Sequence, residues 1–132
     1  MPEYTVSRCG EVLNRFQKSI NGAKVLILGV AYKQDIDDYR ESPALRVIEE
    51  FQKRGADISY YDPWVAQYKY KGEIYQGLKE LNPDVLSKAD IVVITTAHTN
   101  VDYEMVQKYA KAIFDTKNVM KNISKRENIE VL

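Results

Sequence analysis

The stretch from Lys24 to Pro43, KVLILGVAYKQDIDDYRESP, constrains the fold more than any other part of the chain. Its first part, residues 25–31, is uninterrupted apolar sequence, and a strand without polar alternation is buried on both faces. Such strands occupy parallel sheets that helices cover on both sides. The stretch ends at Ser42 and Pro43, residue types favoured at the N-cap and the first position of a helix. It therefore predicts a buried strand, a charged loop and a helix.

The rest of the chain alternates between helical and strand-like segments. We predict helices over 4–20, 42–55, 82–88 and after Asp102, and further strands over 57–61, 91–96 and 112–115. A short hairpin is expected around Lys71-Gly72, whereas the tail, residues 119–132, gives little signal. The pattern predicts an α/β fold, a Rossmann-like doubly wound parallel sheet in three layers, preceded by an N-terminal helix.

Length, charge and cysteine content restrict the classes of function. The 132 residues suit one compact domain, and 19 Lys and Arg balance 19 Asp and Glu, so no strong field draws the chain to nucleic acid or an anionic membrane. Cys9, the only cysteine, rules out an intrachain disulfide and a cysteine-based zinc site. We therefore expect a cytoplasmic protein without a nucleic-acid, membrane or metal partner, and we interpret Cys9 as a packing residue.

Polar residues gather where the predicted strands end, at 32–33, 62–63, 95–98 and 115–118. Ligands of doubly wound sheets bind at the carboxyl ends of the strands, so we expect the site there. Gly29 is the only glycine of the first stretch, which therefore contains neither G-x-G-x-x-G nor a P-loop. A phosphate at this edge would have to be held by a side chain.

Two cations of the first loop are candidates for that contact. Lys33 would supply a compact charge directly after the strand, and Arg40 would supply a forked donor. The competing interpretation, which spacing alone favours, is that both pair with the loop aspartates at 35, 37 and 38. Lys117 follows the last strand, so it is expected at the same rim as Lys33, where two lysines would suit a diphosphate.

Two further polar residues have alternative interpretations. Asp62 follows the second strand, where dinucleotide folds carry a ribose-binding acid, but Asp62-Pro63 also forms a turn, which we favour. His98 is the only histidine and is a possible acid or base. The sequence places no cysteine, serine or carboxylate beside it, so a hydrogen-bonding role in its loop is favoured.

Four motifs, in this order, resemble a known family: GVAYK at 29–33, DYRESP at 38–43, Gly55-Ala56 with Tyr61-Asp62-Pro63, and DTKN at 115–118. Over residues 1–118 they resemble the C-terminal domain of the UDP-glucose/GDP-mannose dehydrogenase family. The A-Y-K and Y-D-P forms and the run from His98 to Tyr103 are most similar to the branch that acts on UDP-GlcNAc or UDP-ManNAc. UDP-glucose stays open as the substrate.

The resemblance implies an enzyme of polysaccharide biosynthesis that uses NAD to oxidise a UDP-sugar at C6, from alcohol to carboxylate, as a homodimer. It implies that Tyr32, Lys33 and Lys117 contact the UDP-sugar and that Arg40 reaches the NAD phosphates. Lys117 stands where the family usually has arginine, so the charge is kept while the planar two-pronged contact is lost.

The resemblance also implies a domain organisation. Residues 1–21 are similar to the end of the helix that joins two domains and carries the dimer contact, and residues 22–132 to the UDP-binding domain. The family's NAD fingerprint and catalytic-cysteine motif have no counterpart here, and Cys9 does not match the latter. We expect NAD to be bound mainly by an N-terminal domain outside this chain, and the chain alone to hold no catalytic residue and to be inactive. The alternative is a free-standing α/β nucleotide-binding or regulatory module without catalytic activity.

Overall fold

A computed structural model describes residues 2–33, 35–40 and 42–132. Met1, Gln34 and Glu41, which belong to the N-terminal segment, the charged loop and the DYRESP motif, lie outside the described residues. The helices are α1 Pro2–Asn14, α2 Pro43–Lys53, α3 Pro83–Lys88 and α4 Tyr103–Tyr109. The strands are β1 Lys24–Leu28, β2 Asp57–Tyr61, β3 Gln67–Tyr70, β4 Glu73–Gln76, β5 Ile91–Ile94, β6 Ile113–Asp115 and β7 Ile129–Val131.

Five strands form one parallel sheet in the order β2-β1-β5-β6-β7, and β3 and β4 form a separate antiparallel hairpin. The chain goes from β1 to β2 on one side and then returns to β5 on the other side of β1. β1 and β5 therefore flank the switch point, where a doubly wound sheet opens its ligand crevice. This arrangement confirms the predicted Rossmann-like sheet and its N-terminal helix.

The two faces of the sheet are buried in separate clusters, which accounts for the unbroken apolar runs. Val25 and Ile27 of β1 pack with α1 and α2, in a cluster that includes Leu13, Phe51 and Phe114. Leu26 and Leu28 point to the opposite face, where the cluster includes Leu86, Val106 and Met120. A helix layer covers each face, as the three-layer prediction requires.

The predicted helix starts and the predicted hairpin are confirmed. Ser42 Oγ accepts a bond from the Ala44 amide at 3.2 Å, and Asn82 and Asp102 cap α3 and α4 in the same way. The hairpin turns at Lys71 and Gly72, both with positive φ, at 51° and 85°. Among the described helices, none has the length and apolar character needed to cross a membrane.

The first helix ends earlier than predicted. It stops at Asn14 rather than at residue 20, and the amides of Phe16 and Lys18 both bond the Leu13 carbonyl, at 2.9 and 3.1 Å. Gln17 then takes a left-handed φ of 60°, which turns the chain away from the helix axis. Phe16 lies in this turn and is consequently 51 % exposed.

The tail contains a strand that the sequence did not reveal. β7 pairs in parallel with β6, and Glu130 within it accepts bonds from Arg8 at 2.9 Å and Arg15 at 3.1 Å, both in the N-terminal segment. The side-chain amide of Asn128, the residue before β7, donates to the carbonyls of Gln107 and Ala110. A three-residue strand is too short for a periodic pattern, and the contacts that define it come from distant segments.

Candidate functional site

The ends of β1 and β5 contact each other directly at the switch point. Gly29 has a φ of +93°, and a Cβ built on it would lie 2.9 Å from the backbone nitrogen of Thr96. Thr95 Oγ1 donates to the Gly29 carbonyl, and Thr96 Oγ1 donates to the Ala31 carbonyl at 2.9 Å. The absence of a Cβ at position 29 therefore allows the two chain segments to lie in contact.

Asp62 links the end of β2 to the loop after β1. Its carboxylate is 5 % exposed and accepts the amides of Val30 at 2.8 Å, Ala31 at 3.1 Å and Trp64 at 2.8 Å. Burial by itself raises the pKa of Asp62, but the hydrogen bonds from His98, Val30 and Trp64 outweigh it and hold this pKa below its usual value. The favoured turn interpretation accounts for the Trp64 bond alone. Because the carboxylate is buried and already hydrogen-bonded, it is unavailable to a ribose.

His98 lies against Asp62 and is 1 % exposed. Its Nε2 is 2.9 Å from Asp62 Oδ2, and its Nδ1 accepts the Asp35 amide at 2.8 Å. A backbone amide only donates, so Nδ1 carries no proton and Nε2 donates to the carboxylate. The predicted hydrogen-bonding role is confirmed. Asp62 lies beside His98, although it is far away in the sequence, because parallel pairing brings the strand ends together.

Asp35 completes the link between the β1 loop and the β5 loop. It has a positive φ of 60°, a conformation that aspartate tolerates better than most residues. Its two carboxylate oxygens accept from the amide and the hydroxyl of Thr99, both at 2.9 Å. Both bonds lower the pKa of Asp35, and the bond from the Thr99 amide has the larger effect. Asp35 is therefore fixed through its backbone and through its side chain.

Tyr32 and Lys33 lie between these anchors and point into solvent. Tyr32 is 50 % exposed, and the Lys33 ammonium lies 5.8 Å from the centroid of its ring. The Tyr32 amide donates to the Asp38 carbonyl at 2.6 Å. Within the described part of the chain, Lys33 forms no salt bridge, so the interpretation that pairs it with the loop aspartates does not hold for this residue.

Arg40, by contrast, pairs with Asp38. Its Nε and Nη2 lie 3.1 and 3.3 Å from the two carboxylate oxygens, and its side chain is 80 % exposed. The pair lowers the pKa of Asp38. Arg40 also lines a recess of about 450 Å³ together with Pro2, Arg46 and Tyr70, and Tyr32 and Lys33 are not among the described residues of that recess. The structure thus brings Tyr32 and Lys33 together, whereas Arg40 pairs with Asp38 and lines a recess that does not include them.

Lys117 occupies the end of β6, on the same edge of the sheet as Lys33. Asp115 is fully buried and accepts the amides of Lys117 at 3.0 Å and Met120 at 2.9 Å, which fixes the turn, while the Lys117 side chain is exposed. β5 alone separates β1 from β6, so two strand spacings put these strands about 10 Å apart. Sequence reasoning missed the positioning role of Asp115, although its place at a strand end was a usable signal.

Residues 26–122 match the family model described as the UDP-glucose/GDP-mannose dehydrogenase family, UDP binding domain. A UDP-N-acetyl-D-mannosamine dehydrogenase of Methanocaldococcus jannaschii is 34% identical over 91% of this chain and 27% of its own length. One from Methanococcus maripaludis is 31% identical over 92% of this chain and 28% of its own. A solved UDP-D-ManNAc dehydrogenase from Pyrococcus horikoshii superposes with a TM-score of 0.79 at 27% identity, over 98% of this chain and 30% of that chain. The chain spans less than a third of the length of these proteins.

Proposed function

We propose a substrate-binding role on the premise that this chain belongs to the UDP-glucose/GDP-mannose dehydrogenase family and carries its UDP-binding domain. Tyr32, Lys33 and Lys117 bind the UDP part of a UDP-sugar at the carboxyl edge of the sheet. The substrate class is a UDP-N-acetylhexosamine, which the names of the relatives support.

The observation that carries this proposal is that Lys33 is exposed and has no described charge partner. It is an exposed ammonium on a loop held by buried contacts, beside an exposed tyrosine ring, and no described acid neutralises it. A phosphate would supply the negative charge that no described acid provides for Lys33. The aromatic face of Tyr32 adds apolar surface for the nucleoside.

Lys117 supplies the second positive charge of the rim. Its strand end lies about 10 Å from that of β1, a span that a nucleoside diphosphate bridges. As a lysine it contributes a point charge rather than a planar fork, so the contact fixes the phosphate less tightly than an arginine would.

The parent activity is an NAD-dependent oxidation at C6, and its chemistry lies outside this chain. The loop after β1 does not fit the pyrophosphate of NAD, because it has a single glycine and no G-x-G-x-x-G run. Cys9 is fully buried in the core and cannot reach a substrate. Arg40, exposed and oriented by Asp38, is the residue of this domain that reaches the phosphates of NAD held by another domain.

The N-terminal segment, residues 1–21, which contains α1, connects this UDP-binding domain, residues 22–132, to the NAD-binding domain and carries a homodimer contact. Tyr4 and Phe16 of this segment are about half exposed, which leaves apolar surface for such a partner.

Calorimetric titration of this chain with UDP tests the binding role. Lys33→Ala is expected to lose about 1–3 kcal/mol of binding free energy, the range for a charged hydrogen bond. Lys24→Ala is the matched control, because Lys24 is exposed at the start of β1, on the opposite edge of the sheet. Equal affinities of the two variants would contradict the proposal.

A further inference from the structure

The loop that carries Tyr32 and Lys33 has two separate anchors. At its start, Asp62 binds the amides of Val30 and Ala31. At its end, the Asp35 amide donates to His98 Nδ1 at 2.8 Å. His98 also contacts Asp62 through Nε2, so a single imidazole joins both anchors.

We propose that His98 is a positioning residue for the nucleotide, acting through Asp35 on the direction in which Tyr32 and Lys33 point. The inference rests on the proposed function, since it assigns a role in binding UDP. His98 itself is buried and does not contact the ligand.

The two contacts of His98 require a rigid group that donates on one side and accepts on the other. Neutral imidazole does both at once, with the proton on Nε2. The Asp62 carboxylate selects this tautomer, because it accepts the Nε2 proton at 2.9 Å. Nδ1 is thereby kept free to receive the Asp35 amide.

The anchor at Asp35 limits the loop more than the anchor at Asp62 does, because the start of the loop has further hydrogen bonds besides those to Asp62. The Ala31 carbonyl accepts from Ser42 Oγ at 3.2 Å and from Thr96 Oγ1 at 2.9 Å, in addition to the amide bonds to Asp62. Asp35 depends on His98 for its amide and on Thr99 for its carboxylate. Loss of the His98 contact therefore removes the backbone anchor at the end of the loop nearest Lys33 and leaves Asp35 held by its side chain alone. An exposed side chain on a less constrained loop pays a larger ordering cost when it binds.

Two substitutions separate positioning from general stability. The amide of asparagine reaches the place of Nδ1, so His98→Asn keeps an acceptor for Asp35 and loses the contact with Asp62. The amide of glutamine reaches the place of Nε2, so His98→Gln keeps a donor for Asp62 and loses the acceptor. We expect His98→Gln to bind UDP-GlcNAc about tenfold more weakly than wild type and His98→Asn to stay within about threefold.

Thermal unfolding of the same variants provides the comparison. His98→Asn is expected to be the less stable variant, because it leaves a buried carboxylate without one of its donors. Affinity and stability would then rank the two variants in opposite orders. If UDP-GlcNAc affinity fell in step with melting temperature, His98 would have a structural role only and the inference would be overturned.

Nuclear magnetic resonance tests the contact itself. A scalar coupling across the hydrogen bond between the Asp35 amide and His98 Nδ1 is expected in the wild-type chain, and a protonated Nδ1 would overturn the inference. Asp35→Ala should weaken UDP-GlcNAc binding several-fold. Asp37→Ala, which removes the same charge from an exposed side chain of the same loop, should not weaken it.

The outcomes distinguish this inference from the proposed function. If wild type did not bind UDP-GlcNAc, both would be overturned. The other informative outcome is that wild type binds UDP-GlcNAc and Lys33→Ala does not. If His98→Gln then bound UDP-GlcNAc as well as wild type does, only the role of His98 would be overturned.

Discussion

Gly29 and Thr96 lie so close together that a Cβ on the glycine would be 2.9 Å from the Thr96 backbone nitrogen. This contact joins the ends of β1 and β5 at the switch point of the sheet. It requires a residue without a Cβ at position 29, because the side chain and backbone of Thr96 occupy the place where that Cβ would lie.

Gly29→Ala is expected to destabilise the chain by about 2–4 kcal/mol, from the cost of a positive φ together with overpacking against Thr96. Urea unfolding measures this change. Gly22→Ala is the control, because Gly22 has a similar φ of +84° but open space around it, and it should cost about 1 kcal/mol. Similar losses for both variants would contradict the packing argument.

Asp62→Ala is expected to lower the free energy of unfolding by roughly 2–4 kcal/mol, because it leaves buried amides and His98 Nε2 without their acceptor. Denaturant unfolding at pH 7 gives the size of the loss. Asn at this position, which keeps an acceptor oxygen, should cost less.

The ionisation of Asp62 should make the free energy of unfolding fall at low pH. Its folded pKa is depressed, so its ionisation stabilises the fold above the unfolded value of about 3.9, and this contribution is lost as the pH falls through the lower folded pKa. The stability difference between wild type and Asp62→Asn should therefore shrink below about pH 4. A constant difference from pH 7 to pH 3 would exclude this linkage.

Cys9 is expected to be inert in the folded protein. Burial raises the pKa of its thiol to about 12, and the side chain is fully buried in the core beside β1. At pH 8 the thiol is protonated, so a chromogenic disulfide reagent should react only after the chain is unfolded in urea. Rapid reaction of the folded chain would show that α1 opens readily.

Lys117→Arg is expected to strengthen UDP binding several-fold, and Lys117→Ala to weaken it about tenfold, because the guanidinium contacts a phosphate with two donors. Calorimetry at two salt concentrations checks the ionic origin, since the loss in Lys117→Ala should shrink at high salt. If arginine bound no better than alanine, Lys117 would have no contact with the diphosphate.

Much of the fold is predictable from local pattern. Unbroken apolar runs identify β1 and β5, and Ser42, Asn82 and Asp102 mark helix starts through bonds within a few residues of each cap. The early end of α1 and the presence of β7 are not predictable in this way. They depend on the left-handed Gln17 and on the contacts of Glu130 with Arg8 and Arg15 across the chain.

The candidate site was also predictable in part from the sequence and in part only from the structure. The motifs are sufficient to identify the family and to select Tyr32, Lys33, Arg40 and Lys117, whose roles stay predictions. Spacing could not decide which cation pairs internally, since Lys33 and Arg40 lie in the same loop among the same aspartates. The structure decides it, because Asp35 is turned toward Thr99 and Asp38 toward Arg40.

The sequence by itself determined the class of sheet and the family, and it predicted the edge at which a ligand binds, because these depend on local periodicity and on short motifs. Only the tertiary structure decided that Asp62 and His98 hold the loop rather than a ligand, and that Gly29 packs directly against Thr96. Parallel pairing joins strand ends that lie tens of residues apart in the chain. Hydrogen bonds across that distance leave no periodic signal in the sequence.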